Sequence, residues 1–469
     1  MRDGPDAAAI DVEIAALTNG REGLARHEGK VVFVPGVAPG DRVRVRIVEP
    51  HATWSRAEVI ALHGHGPAYR APPCPWVGAC GGCPWQQVTY EAQLAAKDRN
   101  VHDALARIGG VTAARPLPIV AAPAEWAYRR RIRLHVDPDR RLGYRAARSH
   151  ALVEIDACAI ADARISALLA PARRLVAALA TGLDALELVV DDAGHVVLSA
   201  TARGPFRPRD TGTLHRFVAA TPGVAGILLR GRGWRRRVGQ VRLTIRPEAA
   251  GPPIAQDPDS FSQVNPEANR LLVAAVVGMA APATRALDLH CGAGNLSLAL
   301  ARAGVAVLGV DRDRAAVAAA RAAAARAGLA ERARFEVADA VAGLADDAAR
   351  GVELVILDPP RTGAPDVVAA LARLRSPRVL YVSCDPATLA RDARTLAGAG
   401  YAVDRVQPLD LFPQTEHVET ILEAVLTGPD RPSKVSADDA QGGEDRPRQG
   451  HDHLGQGRFP DHQLPVGGS

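Results

Sequence analysis

The feature that most constrains the fold is the alternation of apolar runs with alanine-rich segments between residues 255 and 427. Short runs such as "ATRALDLH", "VAVLGVD", "ARFEVAD" and "GVELVILDPP" alternate with segments of helical composition, for example "RAAVAAARAAAARAG". Strands and helices that alternate in this way form βαβ units, whose parallel strands are covered by helices on both faces of the sheet. The pattern therefore predicts a doubly wound, Rossmann-like α/β domain.

A glycine-containing loop follows the first of these strands. In "LDLHCGAGNLSLALA" the strand ends at His290, Gly292 and Gly294 let the backbone approach a ligand, and a helix N-terminus follows. Asp311 ends the next strand, where a carboxylate can accept hydrogen bonds from both ribose hydroxyls, and Asp339 ends the third, where it could meet an adenine amine. The pattern D-x-x-C-G-x-G resembles the loop of S-adenosylmethionine-dependent methyltransferases.

Two further strands end in groups that can do chemistry. "VILDPPRTG" places Asp358 after the fourth strand, and "VSCDP" places Cys384 after the fifth. Ligands of open α/β sheets bind at the carboxyl ends of the strands, so we expect the thiol to lie beside the methyl donor. Arg361 stands where an aromatic residue is associated with methylation of exocyclic amines, which disfavours an amine target.

A thiolate beside a methyl donor indicates covalent catalysis on a pyrimidine. Addition of the thiolate to carbon 6 of uracil forms an enolate, carbon 5 then attacks the methyl group, and a base removes the carbon 5 proton. Glu419, in "HVETILEAVL", is the candidate base, and Glu416 stays possible. Cys291, in the glycine loop, is a rival nucleophile that is more simply explained as a small buried residue.

Four motifs in the same order, "FSQVN", "DPPRTG", "SCDPATLARD" and "HVET", resemble the RNA uracil-5 methyltransferase family, which includes tRNA and large-subunit rRNA enzymes. The resemblance runs from about residue 10 to 427. It implies that Cys384 is the nucleophile and Glu419 the base, and that Gln263 contacts the cofactor or the target, with Phe261 near the target base. It also implies that S-adenosylmethionine is bound by a set of loop and strand-end residues, namely His290, Asn295, Asp311, Asp339 and Asp358. His290 departs from the family's usual Phe or Tyr.

Four of the six cysteines form a separate pattern, Cys74, Cys80 and Cys83 in "CPWVGACGGCPWQQ" and Cys158 in "EIDACAI". Four thiols can hold an iron–sulfur cluster or a structural zinc ion, and the C-x₅-C-x₂-C spacing lacks the two C-x₂-C pairs usual for zinc. The resemblance implies a 4Fe–4S cluster, because many enzymes of the family carry one on this spacing. We expect the cluster to have a structural or RNA-shaping role.

The rest of the chain completes the predicted domain organisation. Short strands separated by Gly and Pro turns predict an OB-like β-barrel at residues 1–62, which resembles the family's TRAM domain. A central α+β domain that carries the cluster follows at 63–254, then the methyltransferase domain at 255–427. Residues 428–469 lack large apolar side chains and are expected to be a disordered tail.

The charge of the chain is consistent with RNA as a partner. Lys and Arg number 57 against 52 Asp and Glu, and only three of the basic residues are Lys. Arginines cluster in "YRRRIRLHVDPDRRLGYRAARSH" and "RGRGWRRR", where guanidinium groups can bind phosphate and Trp234 can stack on a base. We expect rRNA rather than tRNA as the substrate.

The remaining expectations concern cellular context and competing functions. The N-terminal segment carries acids and has no clear apolar region, and no apolar run is long enough for a membrane helix, so a cytoplasmic monomer is expected. An RNA cytosine-5 methyltransferase is the alternative enzyme, but it would carry a second cysteine near Asp358. A non-catalytic RNA-binding protein is the third hypothesis.

Overall fold

Six strands form a curled sheet at the start of the computed structural model, which describes residues 9–345 and 351–427. They are β1 (Ala9–Glu13), β2 (Ala16–Leu17), β3 (Glu22–His27), β4 (Lys30–Pro35), β5 (Arg42–Pro50) and β6 (Trp54–Gly64), in the sheet order β1-β5-β6-β4-β3-β2. The Ala15 N–H, just beyond β1, donates to the Leu24 carbonyl in β3 at 2.8 Å, so the two sides of the sheet meet. Val43 and Val45 point into the apolar interior while the arginines beside them are exposed, as the two-residue period of a strand requires. The predicted N-terminal barrel is confirmed.

A helix and a short strand follow the cysteine-rich segment. They are α1 (Tyr90–Ala104), which continues as a π-helical turn (Leu105–Gly109), and β7 (Arg115–Pro116). The turn ends at Gly110, whose φ of 65° lies in the left-handed region that glycine adopts without strain.

A seven-stranded mixed sheet forms the centre of the chain. Its strands are β8 (Arg131–Val136), β9 (Leu142–Arg145), β10 (Leu152–Val153), β11 (Leu183–Val190), β12 (Val196–Ala202), β13 (Val224–Gly231) and β14 (Trp234–Gly239), in the order β10-β9-β8-β11-β12-β13-β14. The associated helices are α2 (Ala163–Ala167), α3 (Leu169–Ala178) and α4 (Asp210–Ala220), and their apolar residues share one core with the sheet. A hairpin of β15 (Leu243–Ile245) and β16 (Ile254–Gln256) leads out of this region.

The C-terminal region is the predicted Rossmann-like fold. Its elements are α5 (Pro266–Ala280), β17 (Arg285–Leu289), α6 (Ser297–Arg302), β18 (Ala306–Asp311), α7 (Arg314–Arg326), β19 (Ala333–Val337), α8 (Ala340–Ala345), β20 (Leu354–Leu357), α9 (Pro365–Leu374), β21 (Arg378–Ser383), α10 (Pro386–Gly398), β22 (Tyr401–Leu409) and β23 (Glu419–Leu426). The sheet order is β19-β18-β17-β20-β21-β23-β22-β7. The first five strands are parallel and β23 is antiparallel to both of its neighbours. Apolar cores lie on both faces of the sheet.

The segment from α1 to β7 belongs in space to this C-terminal sheet, although the central sheet separates the two in sequence. β7 pairs in parallel with β22, and Val101 and Leu105 are buried in one cluster with Leu389 and Ala393 of α10. The described residues up to Thr427 form one compact unit. The C-terminal sheet is therefore braced by a segment that lies far upstream in the sequence.

Two expectations from the sequence concern the tail and the membrane. The predicted disordered tail, 428–469, lies outside the described residues. Within 9–345 and 351–427, no helix combines the length and the apolar character needed to cross a bilayer.

Candidate active site

A large cleft opens at the carboxyl edge of the C-terminal sheet. Four neighbouring strands, β18, β17, β20 and β21, deliver Asp311, His290, Asp358 and Cys384 at or directly after their last residue, and all four line the cleft. The cavity volume is about 860 Å³. The barrel contributes Arg21 from its β2–β3 turn, so the wall is built from both ends of the chain.

The loop between β17 and α6 has the backbone shape of a ligand cradle. His290, Gly292 and Gly294 all have positive φ, at 64°, 53° and 90°. A Cβ at Gly294 would lie about 3.2 to 3.3 Å from side-chain atoms of Leu298 and Phe335, so there is little room for a larger residue. Glycine at this position is therefore required both by conformation and by close packing.

Two polar contacts fix this loop to neighbouring elements. The Gly292 N–H donates to Asp311 Oδ2 at 2.9 Å, which ties the loop to the end of β18. Asn295 exchanges two amide hydrogen bonds with Asn269 of α5, at 2.9 and 3.0 Å. Asn269 also lines the cleft. Its contact with Asn295 is visible only in the fold, because the two residues are 26 positions apart in the sequence.

The structure brings together five of the six residues predicted to bind the cofactor: Gln263, His290, Asn295, Asp311 and Asp358. Asp339 is not among the residues that line the cleft. Its side chain is exposed and accepts a hydrogen bond from the Val341 N–H at 2.9 Å, at the start of α8. In this structure Asp339 therefore serves as a helix cap, which is a common use of Asp after a strand.

Phe261 lines the cleft on the side of Gln263 and is 74% exposed. A large apolar side chain that stays open to solvent at the mouth of a cleft offers a flat surface on which a planar group can stack. This position fits the expectation that Phe261 lies near the target base.

Cys384 lies between β21 and α10. Asp385 caps α10 by accepting hydrogen bonds from the N–H groups of Ala387 and Thr388, so the chain turns sharply at the cysteine. Burial raises the pKa of the Cys384 thiol to about 12, and the carboxyl group of Glu419 contributes to the rise. The thiol is half-buried and faces the cleft.

Glu419 is the first residue of β23, beside the end of β21. The two strands are antiparallel and their ladder ends at the pair Ser383 and Thr420, so Cys384 and Glu419 are the residues directly beyond its last pair. Both residues line the cleft, and the Glu419 carboxyl group contributes to the raised pKa of Cys384, so the two groups are close together. Burial, followed by the neighbouring Asp358, raises the pKa of Glu419 to about 8, and burial raises that of Asp358 to about 7.

An arginine and a histidine complete this part of the cleft. Arg361 Nη2 lies 3.3 Å from His417 Nε2. Burial lowers the pKa of His417 to about 4, so the imidazole is neutral at pH 7 and accepts from the guanidinium. Arg361 is also the positive group that counteracts the rise in the pKa of Cys384 and of Glu419. The "HVE" motif of the sequence contains this histidine, but its contact with Arg361 is visible only in the fold.

Asp288, the first residue of the D-x-x-C-G-x-G pattern, is a buried carboxyl group. It accepts a hydrogen bond from the Ser297 hydroxyl at the start of α6, and its Oδ1 has no hydrogen-bond partner among the described residues. Burial raises its pKa to about 7. Together with Asp311 and Asp358 it makes the region beneath the loop electronegative.

The four predicted metal-binding cysteines, Cys74, Cys80, Cys83 and Cys158, line one small cavity. Burial raises the pKa of Cys83 to about 12 and raises that of Cys80 as well. Among the side chains that the structure describes, no three ligand groups are close enough to form a ready-made site for a single ion. Gly82 and Arg129 line both this cavity and the large cleft, so the two sites share a wall.

Many of the clustered arginines are occupied by ion pairs. Glu187 lies within 3.1 to 3.9 Å of Arg131, Arg133 and Arg230. The "RGRGWRRR" segment forms further pairs with Asp257 and Asp259. Arg21, by contrast, has no ion-pair partner within the described part of the chain and reaches the cleft.

Comparison with known proteins agrees with this architecture. Residues 253–425 match the family model described as tRNA (Uracil-5-)-methyltransferase, and residues 8–60 match the TRAM domain. A 23S rRNA (uracil(1939)-C(5))-methyltransferase of Alkalilimnicola ehrlichii is 35% identical over 431 residues, which cover 88% of this chain and 95% of that protein. The corresponding protein of Shewanella amazonensis is 35% identical over 421 residues, covering 87% and 94%.

A solved structure extends the similarity to three dimensions. The Pyrococcus abyssi tRNA (uracil-54, C5)-methyltransferase in complex with S-adenosyl-L-homocysteine aligns with a TM-score of 0.66 and 25% identity, and the match covers 89% of this chain and 100% of that one. The cleft with its thiol, its buried carboxyl groups and its glycine loop thus occurs in a chain that belongs to the family of S-adenosylmethionine-dependent RNA (uracil-5-)-methyltransferases.

Proposed function

We propose that this protein methylates carbon 5 of a uridine in 23S rRNA. The observation that supports the proposal is that Cys384 and Glu419, the residues directly beyond the last pair of the β21–β23 ladder, line the same cleft as the glycine loop. A nucleophile and a base on one face of the same cleft are what the addition and elimination steps at a pyrimidine require.

The residues of the cleft fit S-adenosylmethionine. The cradle at Gly292 and Gly294 leaves space for a ligand to approach the backbone, and Asp311 is positioned to accept hydrogen bonds from a ribose. We propose that the cofactor is contacted by the five predicted residues that line the cleft, Gln263, His290, Asn295, Asp311 and Asp358. Asp339 can join them through its Oδ2, because Oδ1 is the oxygen that caps α8. When bound, the cofactor supplies an electrophilic methyl group to carbon 5 of the base.

Cys384 and Glu419 divide the chemistry between them. The Cys384 thiol first loses its proton to solvent in the open cleft, and the thiolate sulfur then forms a bond to carbon 6 while the electron pair of the 5,6 double bond moves toward the O4 enolate. After carbon 5 has been methylated, Glu419 removes its proton. The electrons of that C–H bond restore the 5,6 double bond and expel the thiolate. Because the thiol and the carboxyl group are both protonated in the buried site, Arg361 has a role in favouring their ionised forms.

The choice of RNA follows from the similarity over most of the chain. The two relatives described above, each 35% identical, are named for 23S rRNA, whereas the tRNA enzyme of known structure shares 25%. A tRNA substrate is the alternative. In either RNA the uridine must leave its stack to reach the recessed Cys384. Since one chain provides all the proposed site residues, a monomer is sufficient, and a ribosomal substrate places the protein in the cytoplasm.

The test is trapping with 5-fluorouridine-containing RNA, in which fluorine replaces the proton that Glu419 removes. Wild-type protein should form a methylated covalent complex that survives denaturing electrophoresis, and Cys384→Ala should form none. Cys291→Ala is the matched control, because Cys291 is buried beside Phe335 in an apolar cluster. An adduct that persists in Cys384→Ala and disappears in Cys291→Ala would refute the assignment. Competition between 23S rRNA and tRNA fragments identifies the substrate.

We also propose that Cys74, Cys80, Cys83 and Cys158 hold a 4Fe–4S cluster. Their common cavity supports this, since all four residues line one space. Binding to iron would favour the thiolate forms that burial opposes at Cys80 and Cys83. Anaerobically purified protein should contain about four irons, and zinc in a colourless protein would contradict the proposal.

The domain boundaries remain proposals as well: a TRAM barrel at 1–62, a central cluster-bearing domain at 63–254 and a methyltransferase domain at 255–427. The pairing of β7 with β22 supports an assembly in which the central region buttresses the catalytic sheet.

A further inference from the structure

The connection between β22 and β23 delivers the proposed base to the cleft. It spans residues 410–418 and ends at Glu419. Hairpin connections usually have about two to five residues, and longer irregular ones need to be held in place. Leu409 pairs with Glu419, so the connection both leaves and re-enters the sheet at the edge that carries the cleft.

Three upstream donors capture three consecutive carbonyl groups of this connection, those of residues 412–414. In order along the connection, the donors are Lys97 Nζ at 3.1 Å, the Tyr128 hydroxyl at 2.9 Å and the Trp85 N–H at 3.1 Å. They come from α1, from the segment before β8 and from the segment that follows Cys83. The Phe412 carbonyl also accepts from Thr415 within the connection, whereas among the described residues those of Pro413 and Gln414 are satisfied by the upstream donors alone.

Lys97 and Asp410 form the centre of this arrangement. Lys97 Nζ donates to Asp410 Oδ1 at 2.7 Å, and both side chains are completely buried. The same carboxylate oxygen accepts from the Phe412 N–H at 2.9 Å. Burial lowers the pKa of Lys97, and the attraction of Asp410 opposes that effect. A charge pair buried in this way is costly to break from one side only.

Gln414 is held in a backbone conformation that side chains rarely adopt, with a φ of 72°. Its N–H donates to Gln93 Oε1 at 2.9 Å, and its Oε1 accepts from Gln93 Nε2 at 3.0 Å and from Arg70 Nη2 at 2.6 Å. Such a conformation persists only where the surroundings enforce it, and strained positions of this kind occur near functional sites. The hydrogen bonds from Gln93 and Arg70 supply that enforcement on the approach to Glu419.

We propose that Lys97 and Asp410, together with the Gln93–Gln414 pair, are positioning residues for the general base. This inference rests on the proposed function, because it presupposes that Glu419 removes the carbon 5 proton. The clamp formed by these four residues holds the connection that leads into β23 and so fixes where the Glu419 carboxyl group meets the cleft. Weakening the clamp should slow elimination, which needs the base, more than attack by Cys384, which does not.

The test is the double variant Lys97→Met/Asp410→Asn, which removes both charges and leaves neither one unpaired. With 23S rRNA fragments, kcat should fall by about 10- to 100-fold, since misplacing a catalytic group by about 1 Å can cost about 100-fold. The methylated covalent complex with ordinary RNA should accumulate, because attack and methylation outpace elimination. Glu419→Gln is the benchmark and should accumulate the same complex to a greater extent.

The control is Arg378→Met/Arg405→Met/Glu423→Gln, which removes another ion-pair group and leaves none of its charges unpaired. Glu423 lies on the same strand as Glu419 and is as deeply buried, but it pairs with Arg378 at 2.8 Å farther along β23, away from the cleft. This control should show no accumulation. Tyr128→Phe, which removes the hydrogen bond to the Pro413 carbonyl and a longer one of 3.4 Å from Arg129 Nε, provides a milder variant if the double variant does not fold, as judged by thermal melting.

The possible outcomes separate the two proposals. If Glu419→Gln accumulates the complex and neither clamp variant does, the clamp has only a structural role and the inference is overturned. If Glu419→Gln accumulates none, the assignment of the base fails and the inference fails with it. Accumulation in the folded clamp variants, without accumulation in the control, supports the positioning role.

Discussion

Replacing Glu419 by Gln should stabilise the protein at alkaline pH while it disables elimination. Burial raises the pKa of Glu419 from 4.5 to about 8, so between these values the folded protein keeps a proton that the unfolded chain releases. Stability from this group is complete below pH 4.5 and is lost as the pH rises through 8. At about 1.4 kcal/mol for each tenfold change in proton affinity, the loss amounts to about 5 kcal/mol. Because Gln has no proton to release, the variant does not lose this stability as the pH rises.

The assay is urea unfolding of wild type and Glu419→Gln from about pH 5 to about pH 9, the range that brackets the loss. The free energies of unfolding of the two proteins should agree most closely at the acid end. As the pH rises, that of the variant should increasingly exceed that of wild type. Glu423→Gln, on the same strand, is the control, because the pKa of Glu423 is lowered whereas that of Glu419 is raised. Although burial acts to raise the pKa of Glu423, its hydrogen bonds to Arg405 and Arg378 lower it, so this variant should be less stable at neutral pH and approach wild type in acid. Parallel pH profiles for Glu419→Gln and wild type would refute the reasoning.

Three further predictions concern RNA, the cofactor and the cysteine cavity. Arg21→Ala should weaken RNA binding and reduce the salt slope of log K by about 0.7, the value for one phosphate contact to a single strand. The ion-paired Arg141→Ala should leave the slope unchanged, and equal slopes for both variants would contradict a role for Arg21. Asn269→Leu should raise the Kd for S-adenosylhomocysteine by about five- to thirtyfold, because it leaves the Asn295 amide without its two hydrogen bonds. An unchanged Kd in calorimetry would contradict a role for this amide pair in cofactor binding. Cys83→Ser should lose its iron yet still bind S-adenosylhomocysteine, and wild-type iron content would contradict the cluster.

The two proposed catalytic residues could be located from the sequence because each lies at a strand end that is visible in the residue pattern. The strand before Cys384 is a continuous apolar run, and the motif after it begins a helix with an Asp cap. What the sequence could not provide was the register of β23 against β21, whose last pair, Ser383 and Thr420, lies directly beside Cys384 and Glu419. Choosing Glu419 over Glu416 on physical grounds needs that register, since both residues line the cleft.

The electrostatic role of the arginines was harder to predict, because the net charge of a segment does not reveal its partners. Glu187 is far in sequence from Arg131 and Arg230, yet all three meet on the central sheet. Arg21 stands outside both arginine clusters of the sequence, although it reaches the cleft. Arg129, which belongs to the first cluster, lines the same cleft, and neither it nor Arg21 forms an ion pair within the described residues. A cluster in the sequence therefore does not show which of its guanidinium groups pair with acids.

Lys97 shows how composition can mark a position whose function depends on contacts distant in sequence. In a chain with only three lysines, this one is completely buried. A lysine carries a compact charge with three donors, whereas a guanidinium group is planar and larger. The site around Lys97 Nζ suits the compact group, because Asp410 Oδ1 and the Phe412 carbonyl take two of its hydrogens and the ring of Trp85 lies 5.8 Å away. Arginine would require this buried site to expand, so the chain keeps lysine where the geometry of the base is at stake.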